Sequence, residues 1–303
     1  MRFRTVLTVL ITTPALAAGL APVAATPAAA TSTAATPGPA FSTYAALGDS
    51  FTAGPLVPVT RPDPAGCGRS TGNYPSRLAH RLGVRSFTDI SCSGASTRNM
   101  RASQDVLLGP NPAQFTALRP ETDLVTVSIG GNDYDVFRTV TDTCVAVADD
   151  DPSGSPCADH FTSGGVDTIG QLLPAIQHNV RVMLGELKRR VPRATVLLIG
   201  YPRLVPPEGT CEDVPFAAGD YPWVDSFERA VNDVLAAAAE QAGASYVDTY
   251  RPSLGHDACA PRDRQWINGK RTRPLEAAPY HPTPRGMRAV AAIIAERLGQ
   301  PIA

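Results

Sequence analysis

The sequence carries little charge and no excess of either sign. Charged residues make up 18% of the 303-residue chain, against roughly 25% in an average domain, and 27 Lys and Arg are balanced by 28 Asp and Glu. A nucleic-acid-binding protein needs a basic excess to release counterions from phosphates, so that class is excluded. Because 43% of the residues are hydrophobic and the net charge is −1, disorder throughout the chain is excluded as well.

Beyond the N-terminus, the sequence also lacks an apolar run of the ~20 residues that a membrane span needs. At the N-terminus itself, two arginines precede an apolar stretch, residues 6–20, and small residues follow it. This order of segments predicts a secretory signal peptide over residues 1–25, with Ala17 and Ala30 as alternative cleavage sites. The mature protein is therefore expected to be soluble and extracellular, without stable insertion into a membrane.

Internal repeats and a second linker are absent from the rest of the chain. Residues 26–40 are almost entirely Ala, Thr, Pro, Gly and Ser, a composition that predicts a flexible lead-in. No further shift of composition marks a boundary, so we expect one domain over residues 41–303, present as a monomer. A domain of this size can bury a sizeable core.

The chain has six cysteines but no CxxC pair, which argues against a zinc or redox site. All six lie in the mature part, and an even number in an oxidising compartment predicts three disulfides. The sequence alone allows many pairings. Pairing of neighbours would close loops rich in Gly and Pro, with about 2–4 kcal/mol of stability from each disulfide. The pairs in that scheme are Cys67–Cys92, Cys144–Cys157 and Cys211–Cys259.

Short apolar runs rich in β-branched residues alternate along the chain with longer helical patterns. The predicted strands are residues 44–47, 86–90, 124–129, 195–199 and 245–247. The predicted helices are residues 74–82, 165–190, 223–242 and 283–298. This alternation predicts an α/β fold with a parallel sheet and helices on both faces. Ligands of such sheets bind beyond the carboxyl ends of the strands.

Ser50 follows the first predicted strand and is the candidate nucleophile at a strand-to-helix turn. The alternative is a helix N-cap, in which its hydroxyl accepts a backbone N–H. Only five histidines are available as a general base. His281 precedes the last predicted helix, at the carboxyl edge of the sheet, and its near-neutral pKa suits the role. His256, beside Asp257, is the alternative base.

Two further strand ends offer hydrogen-bond donors for an oxyanion. Gly94 follows the second predicted strand and can offer its backbone N–H, and Asn132 follows the third and can offer its side-chain amide. The N–H of Ser50 is a third donor. The alternatives are a tight turn at Gly94 and an Asx turn at Asn132. Candidates for an apolar acyl pocket are Phe51, Leu56, Val57, Phe137 and Tyr201.

Four short motifs stand in order along the chain. The first is Gly48-Asp49-Ser50-Phe51-Thr52-Ala53-Gly54, and Gly94, Gly130-Gly131-Asn132-Asp133 and His281-Pro282 follow it. In order and spacing they resemble the sequence blocks of the GDSL, or SGNH, hydrolases, and the resemblance spans residues 43–298. It implies a flavodoxin-like three-layer α/β/α sandwich with a central parallel sheet of about five strands, and ester hydrolysis without a metal or organic cofactor.

Other stretches resemble the secreted actinobacterial lipase and esterase branch of that family. Members similar to this chain have three consecutive disulfides, which favours the pairing of neighbouring cysteines. The stretches are Cys67-Gly68-Arg69-Ser70 with Asn73-Tyr74-Pro75, Gly200-Tyr201-Pro202-Arg203, and Trp266-Ile267-Asn268-Gly269.

The chain departs from the family at one position. The family usually has an Asp three residues before the histidine, where this chain has Ala278. Some similar members orient the histidine with a main-chain carbonyl, and a neutral acceptor can fix the tautomer. The carbonyl of Ala278 is the first candidate and that of Pro279 the second, with the remote carboxylate of Asp257 as a further alternative.

The resemblance implies a secreted serine lipase or carboxylesterase that cleaves carboxylic esters through an acyl-enzyme on Ser50. A phospholipase A or a carbohydrate acetyl-esterase is the alternative, because the pockets for the acyl and leaving groups lie in variable loops. A non-catalytic secreted binding module is disfavoured, since Ser50, Asn132 and His281 are all present. Residues 134–165 are predicted to form a loop, either a lid or a tied-down surface segment.

Overall fold

The structure is a computed structural model that describes residues 5–13 and 40–300. The chain divides into two compact units, Met1–Gly38 and Pro39–Ala303. In the first unit, residues 5–13 form neither helix nor strand. The remainder of the expected signal peptide, and the lead-in before residue 40, lie outside the described residues.

Five parallel strands form a single sheet in the second unit, close to the predicted positions. They are β1 Thr43–Gly48, β2 Ser86–Asp89, β3 Leu124–Ser128, β4 Thr195–Ile199 and β5 Ser245–Val247. Their order across the sheet is β2-β1-β3-β4-β5, which is the flavodoxin-like order. β3 lies at the centre with all five residues buried, as a continuous run of β-formers predicts for a strand covered on both faces.

Helices cover both faces of this sheet. Within residues 40–300 the α-helices are α1 Ser50–Ala53, α2 Tyr74–Leu82, α3 Val136–Val147, α4 Pro156–Thr162, α5 Leu173–Arg190, α6 Asp220–Ala242 and α7 Pro284–Arg297. Helices α5 and α6 pack together on one face, and α2 and α7 pack together on the other. Because side chains alternate along a strand, β1 contributes Ala45 and Leu47 to the first core and Tyr44 and Ala46 to the second. The predicted three-layer α/β/α sandwich is confirmed.

Local capping chemistry decides where several helices begin and end. The Asn73 side chain accepts a hydrogen bond from the backbone of Ser76 at the start of α2, and the Thr283 side chain does the same for Gly286 in α7. Gly243 adopts a left-handed φ of 65° after α6, a conformation that commonly ends a helix and favours glycine. The cap at Thr283 fixes the chain two residues after His281.

The segment over residues 134–165 is not the loop that the sequence predicts. It contains α3 and α4, which the Cys144–Cys157 disulfide joins. Helix α3 buries Val136, Val140 and Cys144 at four-residue spacing, but its three Thr residues and one Asp hide that apolar stripe in the sequence. Helix α5 begins later than predicted, after Gly164 and Gly165, both of which have positive φ, and α6 begins three residues earlier.

All six cysteines are paired in the structure. The disulfides are Cys67–Cys92, Cys144–Cys157 and Cys211–Cys259, the neighbour pairing favoured by the family resemblance. In the part of the chain that the structure describes, no helix is both long and apolar enough to span a membrane.

Candidate active site

Ser50 is presented at a sharp turn between β1 and α1. Gly48 ends the strand with a φ of 140°, and a Cβ there would lie 2.5 Å from the carbonyl oxygen of Ser128, so only glycine fits. Asp49 caps α1, because its Oδ1 accepts the N–H of Phe51 at 2.9 Å. The helix N-cap is therefore Asp49 and not Ser50. The Ser50 hydroxyl makes no hydrogen bond with the described residues, and the residue is 6% exposed.

Gly94 lies in the loop after β2, which two interactions hold in place. The Cys67–Cys92 disulfide ties the start of the loop, and Gln104 Nε2 donates to the carbonyl of Ser93 at 2.7 Å. Gly94 has a φ of 77°, a conformation that favours glycine. Its backbone N–H donates to no acceptor among residues 40–300, so this exposed group is available to a ligand.

Asn132 follows β3 and is fastened to the loop that carries Gly94. Its Nδ2 donates to the carbonyl of Ala95 at 3.0 Å, which uses one of the two amide hydrogens. The next residue, Asp133, is buried and accepts from the backbone N–H of Thr97 at 2.8 Å and from its hydroxyl at 2.7 Å. The loops after β2 and β3 are thus held in fixed register, with one Asn132 N–H left unpaired.

His281 is oriented by the carbonyl of Pro279, which corrects the expectation for Ala278. His281 Nδ1 lies 2.6 Å from Pro279 O. Ala278 O is already occupied, because it accepts the backbone N–H of His281 at 3.2 Å and Nδ2 of Asn268 at 2.9 Å. A carbonyl can only accept, so Nδ1 carries the proton and Nε2 keeps its lone pair. Burial lowers the pKa of His281, and the Pro279 carbonyl partly opposes this by raising it.

The stretch Trp266-Ile267-Asn268-Gly269 braces the histidine loop. Asn268 N donates to His281 O at 2.9 Å, and Thr283 N donates to Trp266 O at 2.8 Å. Tyr280 N donates to Gly269 O at 3.0 Å, and Tyr280 has a φ of 58°. Backbone hydrogen bonds on both sides of His281 therefore fix the direction in which its ring leaves the loop.

The alternative base and acid suggested by the sequence lie elsewhere. His256 is half-buried, stacks on Trp266 with ring centroids 4.6 Å apart, and has its Nδ1 2.8 Å from Arg264 O. Asp257 is buried, and its Oδ1 accepts the backbone N–H of Cys259 at 3.0 Å. Neither residue lines the cavity that Ser50 lines, so both serve the loop that the Cys211–Cys259 disulfide closes.

One cavity of about 660 Å³ at the carboxyl edge of the sheet brings the four predicted site residues together. Ser50, Gly94, Asn132 and His281 all line it, although they come from four separate stretches of the chain. The ring centroids of His281 and Phe51, the neighbour of Ser50, are 5.5 Å apart. Ser50 and His281 share no hydrogen bond in this unliganded structure, in which such bonds are often long until a substrate binds.

The remaining wall of the cavity is mainly apolar. Phe51, Phe137 and Tyr201 line it, as the sequence suggests, but Leu56 is exposed and Val57 is buried in the core beside α2 and α7. Sequence reasoning named Phe137 but missed the rest of α3, because no helix was expected there. It also did not expect residues of α6, further residues of the segment after β4 or residues of the loop before His281 to reach the cavity. The missed lining residues are Arg138, Thr141, Asp142, Val145, Pro202, Leu204, Glu228, Ile267 and Lys270.

Two buried carboxyl groups line the cavity, and burial raises the pKa of both. The pKa of Asp49 is raised to about 7, despite the Tyr201 hydroxyl that donates to it at 2.5 Å. The pKa of Glu228 is raised to about 8, although its two oxygens accept the backbone N–H of Leu204 at 3.0 and 3.1 Å. In residues 5–13 and 40–300, no group of three or more His, Cys, Asp or Glu is placed to hold a metal ion.

Comparisons with known proteins identify the family of this chain. The model of the GDSL-like Lipase/Acylhydrolase family matches residues 46–289. The chain is 37% identical over 263 residues to Lipase 2 of Streptomyces coelicolor, an alignment that covers 83% of this chain and 84% of that protein.

Two solved structures share the fold. The extracellular lipase of Streptomyces rimosus superposes with a TM-score of 0.69 at 26% identity, covering 84% of this chain and 99% of that one. Phospholipase A1 of Streptomyces albidoflavus superposes with a TM-score of 0.71 at 24% identity, covering 85% and 99%. The family match extends over most of the chain and includes every strand end that carries a candidate site residue. This chain belongs to the GDSL-like Lipase/Acylhydrolase family and is a carboxylic ester hydrolase.

Proposed function

We propose that the protein is a secreted serine lipase or carboxylesterase with Ser50 as nucleophile and His281 as general base. The observation that carries this proposal is the convergence of four chemically suited groups on one cavity. Ser50 Oγ and His281 Nε2 have no hydrogen-bond partner among the described residues. The backbone N–H groups of Ser50 and Gly94 and one N–H of Asn132 are also unpaired there.

The reaction follows from these positions. Ser50 Oγ attacks the ester carbonyl while its proton moves to His281 Nε2, and the carbonyl oxygen becomes an oxyanion. The N–H groups of Ser50 and Gly94 and the Asn132 amide stabilise that charge. His281 then gives its proton to the departing alcohol, which leaves an acyl-enzyme. Water, deprotonated by His281, releases the acid and restores the Ser50 hydroxyl.

The carbonyl of Pro279 takes the place of the carboxylate that orients the histidine in many serine hydrolases. The carbonyl fixes the tautomer and the orientation of the His281 ring, as a carboxylate would. Because it is neutral, it stabilises the imidazolium form less than a carboxylate does. Burial also disfavours the charged ring. His281 is consequently unprotonated at neutral pH, which is the form a general base needs.

The cavity favours an alkyl acyl chain over an acetyl group. Its volume of about 660 Å³ exceeds what an acetyl group fills, and aromatic and aliphatic side chains form most of its wall. Phe51 and Tyr201 pack edge to face at 4.9 Å and Phe137 and Tyr201 at 5.1 Å, which gives that wall a fixed shape. Among the substrates considered, acetylated carbohydrates are therefore the least suited.

A phospholipid is the second candidate substrate, because a cation lines the same cavity. Lys270 is exposed at the cavity, and its ammonium group forms no ion pair within residues 40–300. A phosphate beside the scissile ester would supply the missing partner. Export from the cell is supported by the three disulfides, which persist in oxidising compartments, and by the S. rimosus lipase, which is described as extracellular.

Ser50→Ala tests the assignment of the nucleophile. The variant should lose turnover of p-nitrophenyl esters and labelling by a fluorophosphonate, since both require Ser50 Oγ. Ser153→Ala removes the hydroxyl of an exposed serine that does not line the cavity, and it is the matched control. Retention of most activity by Ser50→Ala would remove Ser50 from the role.

A panel of p-nitrophenyl esters of increasing chain length, acetylxylan and phosphatidylcholine tests the substrate class. Lys270→Ala should lower turnover of phosphatidylcholine and leave that of the p-nitrophenyl esters unchanged if phosphate contacts the ammonium group. Equal effects on both substrates would contradict a phosphate contact.

A further inference from the structure

The hydroxyl of Tyr201 lies between two loops that carry the reaction. Tyr201 follows β4, and its O–H donates to Oδ2 of Asp49 at 2.5 Å. The same oxygen accepts the backbone N–H of Gly131 at 2.9 Å. Asp49 directly precedes Ser50, and Gly131 directly precedes Asn132, so a single hydroxyl connects the residues next to the nucleophile and next to the oxyanion donor.

We propose that Tyr201 is a positioning residue that holds Ser50 and Asn132 at the separation required for attack on the ester. The proposal rests on the roles proposed above for Ser50 and Asn132. This role differs from lining the cavity. The aromatic ring of Tyr201 is enough to form part of the cavity wall, whereas positioning requires its hydroxyl.

The two groups that bind the Tyr201 hydroxyl, the Asp49 carboxylate and the Gly131 backbone, are also held by other contacts. Asp49 uses its Oδ1 to accept the N–H of Phe51 at 2.9 Å and its Oδ2 for Tyr201, so one carboxylate both caps α1 and binds the hydroxyl. A Cβ on Gly131 would come within 2.4 Å of Phe137 and 3.1 Å of Tyr201, so the backbone there is packed tightly. Loss of the hydroxyl therefore removes the side-chain connection between the two turns and leaves the backbone hydrogen bond from Asp49 N to Ser128 O at 3.0 Å.

The ring of Tyr201 is itself held in place, which makes it a suitable support. It packs edge to face against Phe51 and Phe137, and its backbone N–H donates to Oδ1 of Asn232 at 2.9 Å. A side chain fixed by both packing and hydrogen bonds can hold its neighbours to within a few tenths of an ångström. Catalysis is sensitive at that scale, because a misplacement of about 1 Å can lower the rate about 100-fold.

The connection is expected to depend on pH through Asp49. Burial raises the pKa of Asp49 to about 7, the hydrogen bonds from Tyr201 and Phe51 lower it, and the charge of Asp133 raises it. Tyr74 in α2 is also coupled electrostatically to Asp49. Protonation turns one Asp49 oxygen from an acceptor into a donor and weakens the connection.

The remaining titratable group near this turn is His281, whose ring lies 5.5 Å from that of Phe51. Its pKa is lowered from 6.5, mainly by burial, so it titrates below Asp49. When kcat is plotted against pH, its fall on the acidic side (the acidic limb) should accordingly contain two steps. The upper step, at higher pH, comes from Asp49 and the lower step from His281.

Tyr201→Phe tests the proposal, because it keeps the ring and removes only the hydroxyl. We expect kcat for a p-nitrophenyl ester to fall about 10-fold to 100-fold, with little change in KM. Since the hydroxyl stabilises ionised Asp49, its removal raises the pKa of that carboxyl, and the upper step of the acidic limb should move to higher pH. In an Asp49→Asn background, Tyr201→Phe should no longer move the limb, because the titrating group is gone.

Tyr250→Phe is a matched control outside the cavity. Tyr250 O–H donates to Oδ1 of buried Asp225 at 2.5 Å, the same bond type and length as in the Tyr201–Asp49 pair. Its loss should lower the melting temperature without changing kcat or the acidic limb. The positioning role is overturned if Tyr201→Phe keeps its kcat and acidic limb, or if Tyr250→Phe changes both equally.

Failure of this proposal is separable from failure of the proposed function. An active Tyr201→Phe enzyme with an inactive Ser50→Ala enzyme refutes only the positioning role. An active Ser50→Ala enzyme refutes the proposed nucleophile and the inference that depends on it.

Discussion

Truncation of the Asn132 side chain isolates one donor of the proposed oxyanion hole. In Asn132→Ala the amide disappears, while the neighbouring carboxylate of Asp133 keeps its two hydrogen bonds to Thr97. The loop after β3 therefore stays attached to the loop after β2. Among residues 40–300 the change removes one side-chain hydrogen bond, that from Asn132 Nδ2 to Ala95 O at 3.0 Å.

The two effects of this change differ in size. Loss of one oxyanion donor lowers kcat about 10²-fold to 10³-fold, which is about 2.7–4 kcal/mol of transition-state stabilisation. Loss of one hydrogen bond costs about 0.5–1.5 kcal/mol of folding stability, or about 1–6 °C in Tm for a domain of this size. Asn132→Ala should thus be a well-folded enzyme with a severe defect in kcat and a nearly normal KM.

Initial rates on a p-nitrophenyl ester, with thermal unfolding of the same samples, measure both quantities. Asn99→Ala is the matched control, since Asn99 Oδ1 accepts the N–H of Ser96 at 3.0 Å and the residue does not line the cavity. It should lose similar stability and keep its kcat. An Asn132→Ala enzyme with kcat within about fivefold of the parent would refute the oxyanion role, because a neutral donor in such a site contributes far more.

Three other changes have expected outcomes of their own. The folded protein keeps a proton on Glu228 up to about pH 8, whereas the unfolded chain releases it above about pH 4.5. Stability should therefore fall as the pH rises between these two values, and Glu228→Gln should reduce the corresponding fall in Tm. An unchanged slope of Tm against pH would contradict the buried, protonated state of Glu228. Cys144→Ala combined with Cys157→Ala opens a disulfide of sequence separation 13 and should cost about 3 kcal/mol, or about 6–12 °C in Tm; an equal Tm would argue against that contribution. Gly48→Ala places a Cβ 2.5 Å from the carbonyl of Ser128 and should abolish the folded, active protein, so a normal Tm would be inconsistent with the tight turn.

Local patterns were sufficient for the strands and for grouping the candidate site residues. The five strands are short runs of β-formers, and the structure has all of them within one or two residues of their predicted bounds. Residues that follow parallel strands must meet at one edge of the sheet, so Ser50, Gly94 and Asn132 could be grouped from the sequence. His281 joined them because a loop before the last helix of such a fold lies at the same edge.

The predictions failed in two situations. In the first, the contact that decides the outcome joins residues that are not neighbours along the chain. In the second, two residues have the same local chemistry and differ only in their tertiary surroundings. The carbonyls of Ala278 and Pro279 are indistinguishable in the sequence, but in the structure Ala278 O already accepts the backbone N–H of His281 and Nδ2 of Asn268, ten residues earlier. Val57 and Phe137 are equally apolar, yet one is buried beneath α2 and α7 and the other lines the cavity.

The sequence by itself determined the α/β class, the strand ends and the candidate residues that follow them, because periodicity and glycine-rich turns are local properties. Only the tertiary structure decided which carbonyl orients His281, that α3 forms a wall of the cavity, and that Tyr201 connects the residues beside Ser50 and Asn132. Those features depend on distances between side chains that are up to 152 residues apart, and such distances are set by the packing of the layers and not by any local pattern.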